Sequence, residues 1–205
     1  MKPSLKSALA FSVAFLSSAG ALAGEAPASQ AAQTVKSLVC PAASGKVEFL
    51  ATGKPSLLKI RGQAAGPDCR LQLNDNVATG ELIFDLNQLD TGIDTRTSHM
   101  KEKYLETGRF QKATLTLDAL TLPPAAGEGK TVEFTGMLEL HGVKKPVKGT
   151  ALIERGNAGR VNGAQADFEI LLPDYGIAIP KFAGVIVSEK VAIHVQLERL
   201  EARAQ

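Results

Sequence analysis

The residues best able to do chemistry in this sequence are three histidines, His99, His141 and His194. They lie far apart in segments of different pattern, whereas zinc and nucleophilic sites usually contain closely spaced ligands or partners. No G-x-S-x-G turn presents a nucleophilic serine. We therefore expect structural roles for the histidines, with no catalytic residue, no metal site and no cofactor. The alternative is an enzyme that uses His99 as its base.

A second polar group, made of Arg96, His99 and Lys101, lies in the segment 94–103, where a strand pattern gives way to a helical one. We interpret these side chains as a rim that meets the head group of a ligand, such as a phosphate near the helix start. A solvated turn is the alternative interpretation.

The helical pattern itself covers residues 97–108, with Ser98 as a candidate N-cap and Gly108 at its end. Its apolar residues are spaced so that they share one face, which we expect to pack against a sheet. These residues are Met100, Tyr104 and Leu105.

The N-terminus has the pattern of a secretory signal peptide. A short positive region precedes an apolar run over residues 8–16, and small residues follow up to Ala21-Leu22-Ala23. The apolar run is too short to span a bilayer, and the A-x-A sequence is typical of a cleavage site. We predict a signal peptide over 1–23, a flexible segment over 24–34 and a periplasmic mature protein. An uncleaved anchor is the alternative.

The remaining chain is the size of one domain, predicted over residues 35–200 with a C-terminal tail over 201–205. Removal of Lys2 and Lys6 with the signal peptide leaves 23 − 2 = 21 Lys and Arg against 21 Asp and Glu. A nucleic-acid-binding protein should show a basic excess, so we expect no nucleic-acid partner.

Cys40 and Cys69 are the two cysteines of the chain. No C-x-x-C redox motif is present, and a pair of cysteines in an exported protein indicates a disulfide. Two free buried thiols are the alternative.

Alternation of apolar and polar residues is the dominant pattern, as in strands with one buried face. With shorter candidates between turn signals, it predicts eight or nine strands in one antiparallel sheet that closes as a barrel or sandwich. The longer alternating segments are 82–86, 113–117, 132–140, 166–170 and 191–197.

Small residues are interleaved on the predicted inner face, and the chain has no Trp. Small inward residues favour a cavity, and a well-packed interior is the alternative. The small residues are Gly136, Gly149, Ala151 and Ala166. The predicted lining of a tunnel is Leu82, Phe84, Leu86, Leu115, Leu117, Phe134, Leu138, Phe168, Ile170, Val191 and Ile193.

Three stretches of the sequence resemble the YceI-like polyisoprenoid-binding family. They are residues 80–101, with Leu89-Asp90-Thr91-Gly92 and His99-Met100-Lys101, residues 138–147, with Leu140-His141-Gly142, and residues 175–195. The resemblance implies an extended eight-stranded, lipocalin-like antiparallel barrel with a short helix. It also implies an apolar tunnel that holds a long isoprenoid chain. Members of the family are mostly exported, so the resemblance also implies export.

The expected function is therefore that of a non-enzymatic carrier of an isoprenoid lipid or a similar amphiphile. A long apolar chain needs no specific polar contact, because each buried methylene contributes about 0.8 kcal/mol. The alternatives are a ligand such as a quinone or fatty amide, an enzyme acting on such a lipid, and a dimeric structural or stress-related protein with a filled barrel. A homodimer of this chain is a further alternative.

Overall fold

A computed structural model describes residues 35–40, 44–54, 58–124, 129–156, 160–182, 184–198 and 200–204 of the chain. The predicted signal peptide and the flexible segment lie outside the described residues. Within the described ranges, no helix is long and apolar enough to cross a membrane.

Within the described residues, alternating apolar residues form antiparallel strands at each of the predicted segments, and three further strands are added to them. The strands are β1 (Val35–Cys40), β2 (Gly45–Lys54), β3 (Leu58–Ala65), β4 (Asp68–Asn74), β5 (Val77–Asp85), β6 (Lys112–Thr121), β7 (Lys130–Leu140), β8 (Val143–Arg155), β9 (Val161–Leu171), β10 (Lys181–Phe182), β11 (Val185–Glu198) and β12 (Glu201–Ala204). A short helix, α1 (Asp94–His99), continues as one π-helical turn, Met100–Tyr104. Single 3-10 turns cover Leu86–Gln88 and Leu172–Tyr175.

Twelve strands of the described chain make one sheet, in the order β12-β1-β4-β5-β6-β7-β8-β9-β11-β2-β3, with β10 paired to β11. All of these pairings are antiparallel, so the all-β antiparallel class is confirmed. The expected count of eight strands is wrong. Strands β1 and β12 pair with partners that are distant in sequence, and β10 has only two residues, so these short strands carry too little alternation to be recognised.

The C-terminal residues also differ from expectation. Glu201–Ala204, predicted as part of a tail, form β12 and pair with β1 in the register Lys36↔Ala204 to Val39↔Glu201. The sheet therefore extends beyond the predicted domain end at residue 200.

The sheet curls until its last strand, β3, returns to the segment that follows β5. The backbone N–H of Gln63 donates to the carbonyl of Asp90 at 2.8 Å, and the N–H of Asp90 donates back to Gln63 at 2.8 Å. The two-residue connection Gly66-Pro67 leads from β3 directly into β4. These contacts give the curled sheet the form of a partial barrel with an inner and an outer face.

One row of inward residues crosses five neighbouring strands in register. Cys40 pairs with Cys69, Cys69 with Leu82, Leu82 with Leu115, and Leu115 with Leu138. Cys40 and Cys69 are joined by the predicted disulfide, with 4.9 Å between their Cα atoms. The bond links β1 to the core of the sheet.

Candidate functional site

An apolar cavity of about 470 Å³ lies inside the curled sheet, at the end covered by α1. This volume is within the range of small-molecule sites, about 300–1,000 Å³. We call this part of the molecule the cavity end and the opposite part of the interior the packed end. Inward residues of β2, β3, β5, β6, β7, β9 and β11 contribute to the wall.

Seven of the eleven residues predicted to line a tunnel do line this cavity. They are Phe84, Leu86, Leu138, Phe168, Ile170, Val191 and Ile193. The alternation of apolar and polar residues correctly predicted which side chains face inward. The position of each residue along its strand decides whether it borders the cavity. Their contact with a ligand stays a prediction.

The other four predicted lining residues are inward and buried but do not border the cavity. Leu82, Leu115, Leu117 and Phe134 are each 6% exposed or less and belong to the buried core at the packed end. They belong to the filled core at that end of the barrel, and their contact with a ligand stays a prediction. Period two cannot separate a packed position from an open one on the same face.

The small inner residues do not create the cavity, contrary to expectation. A Cβ atom at Gly136 would lie 2.8 Å from the carbonyl oxygen of Thr116 and 2.9 Å from Leu115 Cδ1. At Gly149 it would lie 2.7 Å from Cε1 of Phe134. These glycines allow close packing between neighbouring strands, and neither they nor Ala151 and Ala166 border the cavity.

The β2 and β3 wall was not predicted as lining. It contributes Phe49 and Ile60, both half-buried, together with Val47 and Ala51. The alternation Val47, Phe49, Ala51 was a usable signal in the sequence. In β3, Gly62 pairs with Phe49 and lets the aromatic ring lie against the β3 backbone.

The helical segment starts four residues before the predicted N-cap Ser98. Helix α1 begins at Asp94 after the extended residue Ile93, and the apolar residues of the segment pack against the core as expected. Met100, Tyr104 and Leu105 all line the cavity.

Side chains of the preceding loop hold the start of α1 in place. Asp90 Oδ1 accepts from the N–H of Gly92 at 2.8 Å and from Thr97 Oγ1 at 3.2 Å. Gly92 has a φ of 72°, a conformation that favours glycine. The Gly92 N–H is the main cause that lowers the pKa of Asp90. Thr97 Oγ1 also accepts from the N–H of Thr91 at 3.0 Å, so the loop and the helix form one unit.

The predicted polar rim is partly assembled at the cavity. Arg96 and His99 line it, whereas Lys101 does not. Two other cations, Lys103 and Lys181, line the cavity instead. Lys103 lies on the same helical face as Arg96 and His99. Lys103 could have been found from helical spacing, but Lys181 reaches the site through the tertiary fold.

The mouth of the cavity has exposed apolar residues. Leu58 is 43% exposed and Ile93 is 51% exposed, and both border the cavity. The N–H of Lys181 donates to Tyr104 Oη at 3.3 Å, which ties β10 to the turn after α1. The opening therefore lies among the starts of β3 and α1 and the β10 strand.

The other two histidines lie away from the cavity. His141 Nδ1 is 3.1 Å from the carbonyl oxygen of Tyr175, and its Nε2 is 3.6 Å from Glu106 Oε1. His194 Nδ1 is 2.7 Å from Asp167 Oδ1 on the outer face. Burial raises the pKa of Tyr175, beside His141, to about 12. Within the described ranges, no three His, Cys, Asp or Glu residues come together as a metal site.

Comparison with solved structures places this fold among known proteins. A polyisoprenoid-binding domain from Saccharophagus degradans is 20% identical, with a TM-score of 0.60 over 84% of this chain and 99% of its own. Burkholderia cenocepacia BcnA is 17% identical, with a TM-score of 0.60 over 77% and 98%. A Campylobacter jejuni YceI protein is 16% identical, with a TM-score of 0.55 over 71% and 86%.

At these identities, the structural likeness establishes the fold. The comparison with curated proteins gave no match. The YceI-like domain matches residues 39–199, which is most of the described barrel. The chain therefore belongs to the YceI-like domain family.

Proposed function

We propose that this chain is an exported, non-enzymatic carrier that holds one long isoprenoid chain, or a similar amphiphile, in the cavity at the α1 end. The observation that carries the proposal is an apolar cavity of about 470 Å³ whose charged lining residues are few. The Saccharophagus degradans relative is described as a polyisoprenoid-binding domain, which supports the same ligand class here.

The wall suits a hydrocarbon chain for physical reasons. Half-buried inward side chains such as Phe49, Phe84 and Ile193 leave apolar area exposed to the cavity. Covering such area contributes roughly 25 cal/mol per Å², and burial of each ligand methylene about 0.8 kcal/mol. Affinity would therefore come from the tail, with orientation set by polar groups at the mouth.

Binding is favoured over catalysis because the three histidines serve separate surroundings. His99 lines the cavity, while His141 and His194 contact Tyr175 and Asp167 elsewhere. The three histidines therefore do not come together at the cavity. The cavity also argues against a purely structural protein with a filled barrel.

Native mass spectrometry of protein purified from its own host tests the proposal. We expect a mass increment equal to one lipid, and lipid extraction should release a molecule with an isoprenoid or other long apolar tail. The variant Ala64→Phe places a ring on the cavity wall and should lower the occupied fraction. An unliganded wild type that also fails to take up added prenols would contradict the proposal.

Export is tested separately by fractionation of cells that make the full chain. We expect the protein in the periplasmic fraction, with its N-terminus at Gly24. Retention in the cytoplasm with an intact residue 1–23 segment would contradict this part of the proposal, without affecting lipid binding.

A further inference from the structure

Arg96 is a cationic side chain on the wall of a mainly apolar cavity. Its Nη2 donates to the carbonyl oxygen of Thr91 at 2.5 Å. Its Nε is shielded from solvent and has no hydrogen-bond partner. Among the residues that the structure describes, no carboxylate forms an ion pair with Arg96. Within the described part of the chain, the Nε–H donor of Arg96 thus has no acceptor, and the guanidinium charge has no carboxylate beside it.

The other charged lining residues do not neutralise Arg96. Lys103 and Lys181 add positive charge, and Asp85 is the one acidic residue of the described lining. The carboxylate of Asp85 is already used locally. Its Oδ1 accepts from the N–H of Asn87 at 3.0 Å, and its Oδ2 accepts from Gln88 Nε2 at 3.2 Å. The cavity lining therefore has an excess of positive charge.

We infer that Arg96 binds the anionic head group, phosphate or carboxylate, of the amphiphile whose tail occupies the cavity. The inference rests on the proposed function and adds the chemical class of the head group. An unpaired buried donor is costly, and an anionic oxygen would satisfy it. The planar guanidinium suits such a group, because its parallel N–H donors match two oxygens of a phosphate or carboxylate. A neutral alcohol could fill the same space but would leave the charge uncompensated.

The experiment compares ligands that share a tail and differ in the head group. Geranylgeranyl phosphate is compared with geranylgeraniol, and oleate with oleyl alcohol, by displacement of a fluorescent prenyl probe from the wild-type protein. A charge-assisted hydrogen bond predicts that the anion binds about tenfold to a hundredfold more tightly than its alcohol. A preference in the first pair alone identifies phosphate, one in the second pair alone identifies carboxylate, and a preference in both identifies a general anion site.

Variants then assign the preference to Arg96. In Arg96→Gln, the anion should bind no better than its alcohol, while affinity for the alcohol stays within about twofold of wild type. The matched control is Lys101→Gln, which removes a cation from the same segment but outside the cavity lining and should keep the preference. If Arg96→Gln does not fold, Arg96→Lys replaces it, and its preference should fall below that of wild type because the fork of donors is lost.

Two results would overturn the inference. One is equal affinity of the wild type for anion and alcohol in both pairs. The other is a preference that survives the Arg96 substitution. Alcohols that bind without any anion preference would remove the head-group assignment and leave the carrier function intact. Failure of every ligand to bind would instead refute the carrier function itself.

Discussion

The two ends of the barrel interior use the same alternating strands for different purposes. At the packed end, Leu115 and Phe134 are 3% and 5% exposed, and Gly136 is crowded by neighbouring strands. At the cavity end, the inward residues Phe49 and Ile193 are only half-buried. The packed end supplies stability through close contact, and the cavity end keeps apolar surface available for a ligand. The packed end thus stabilises a sheet whose other end encloses the cavity.

The largest difference should appear when a large side chain is truncated at each end. Leu115→Ala should lower the free energy of unfolding by about 2–5 kcal/mol, because it opens a void in packed surroundings. Ile193→Ala should cost clearly less, since part of Ile193 already faces the cavity. Urea denaturation measures both. Equal losses would mean that the two ends are packed alike.

Removal of the disulfide should affect the packed end without affecting the cavity. The double variant Cys40→Ala, Cys69→Ala opens a link across a sequence separation of 29 residues. The chain-entropy model predicts a loss of roughly 3–4 kcal/mol. Thermal unfolding measures the loss, and probe affinity should stay within about twofold of wild type, provided that the variant is folded at the assay temperature. A selective loss of affinity in the folded variant would show that the ends are coupled.

The packing of the wall behind the cavity end can be tested by measuring stability at alkaline pH, where Tyr175 ionises. This side chain is 2% exposed, and burial raises its pKa from about 10 to about 12. The folded state therefore holds the phenol proton more tightly than the unfolded state. The stability that this provides is complete below pH 10 and is lost as pH rises through about 12.

A rise of about two units in the pKa of Tyr175 corresponds to a loss of about 2–3 kcal/mol in the free energy of unfolding at alkaline pH. Tyr175→Phe should remove that part of the decline between pH 10 and 12, as measured by urea denaturation at each pH. If wild type and Tyr175→Phe lose stability in parallel over this range, the phenol is not buried as the structure has it.

A ring added at each end gives the finest contrast. Gly136→Phe should cost about 1–3 kcal/mol or more, because a Cβ atom there already meets the Thr116 carbonyl oxygen. Ala64→Phe is the matched variant on the cavity wall and should melt near the wild-type temperature with weaker ligand uptake. Similar melting temperatures for both variants would place free space at Gly136 as well.

The sequence could predict the faces of the strands but not where the interior is open. Leu82 and Phe84 are two residues apart on one face of β5, yet Leu82 is packed and Phe84 borders the cavity. That difference depends on what the opposite wall places in front of each residue. The alternation, the disulfide partners and Arg96 at the site were all visible in the sequence. Lys181 joins the lining only through the return of β10 to the helical segment.

The most direct test of the carrier function is the dependence of affinity on tail length. Geraniol, farnesol and geranylgeraniol share a head group and differ by one five-carbon unit at each step. Because each buried methylene contributes about 0.8 kcal/mol, affinity should rise at least about tenfold per unit until the cavity is full. Displacement of a fluorescent prenyl probe measures this series. Affinity that does not change with tail length, or no binding of any prenol, would contradict an apolar ligand cavity at the α1 end.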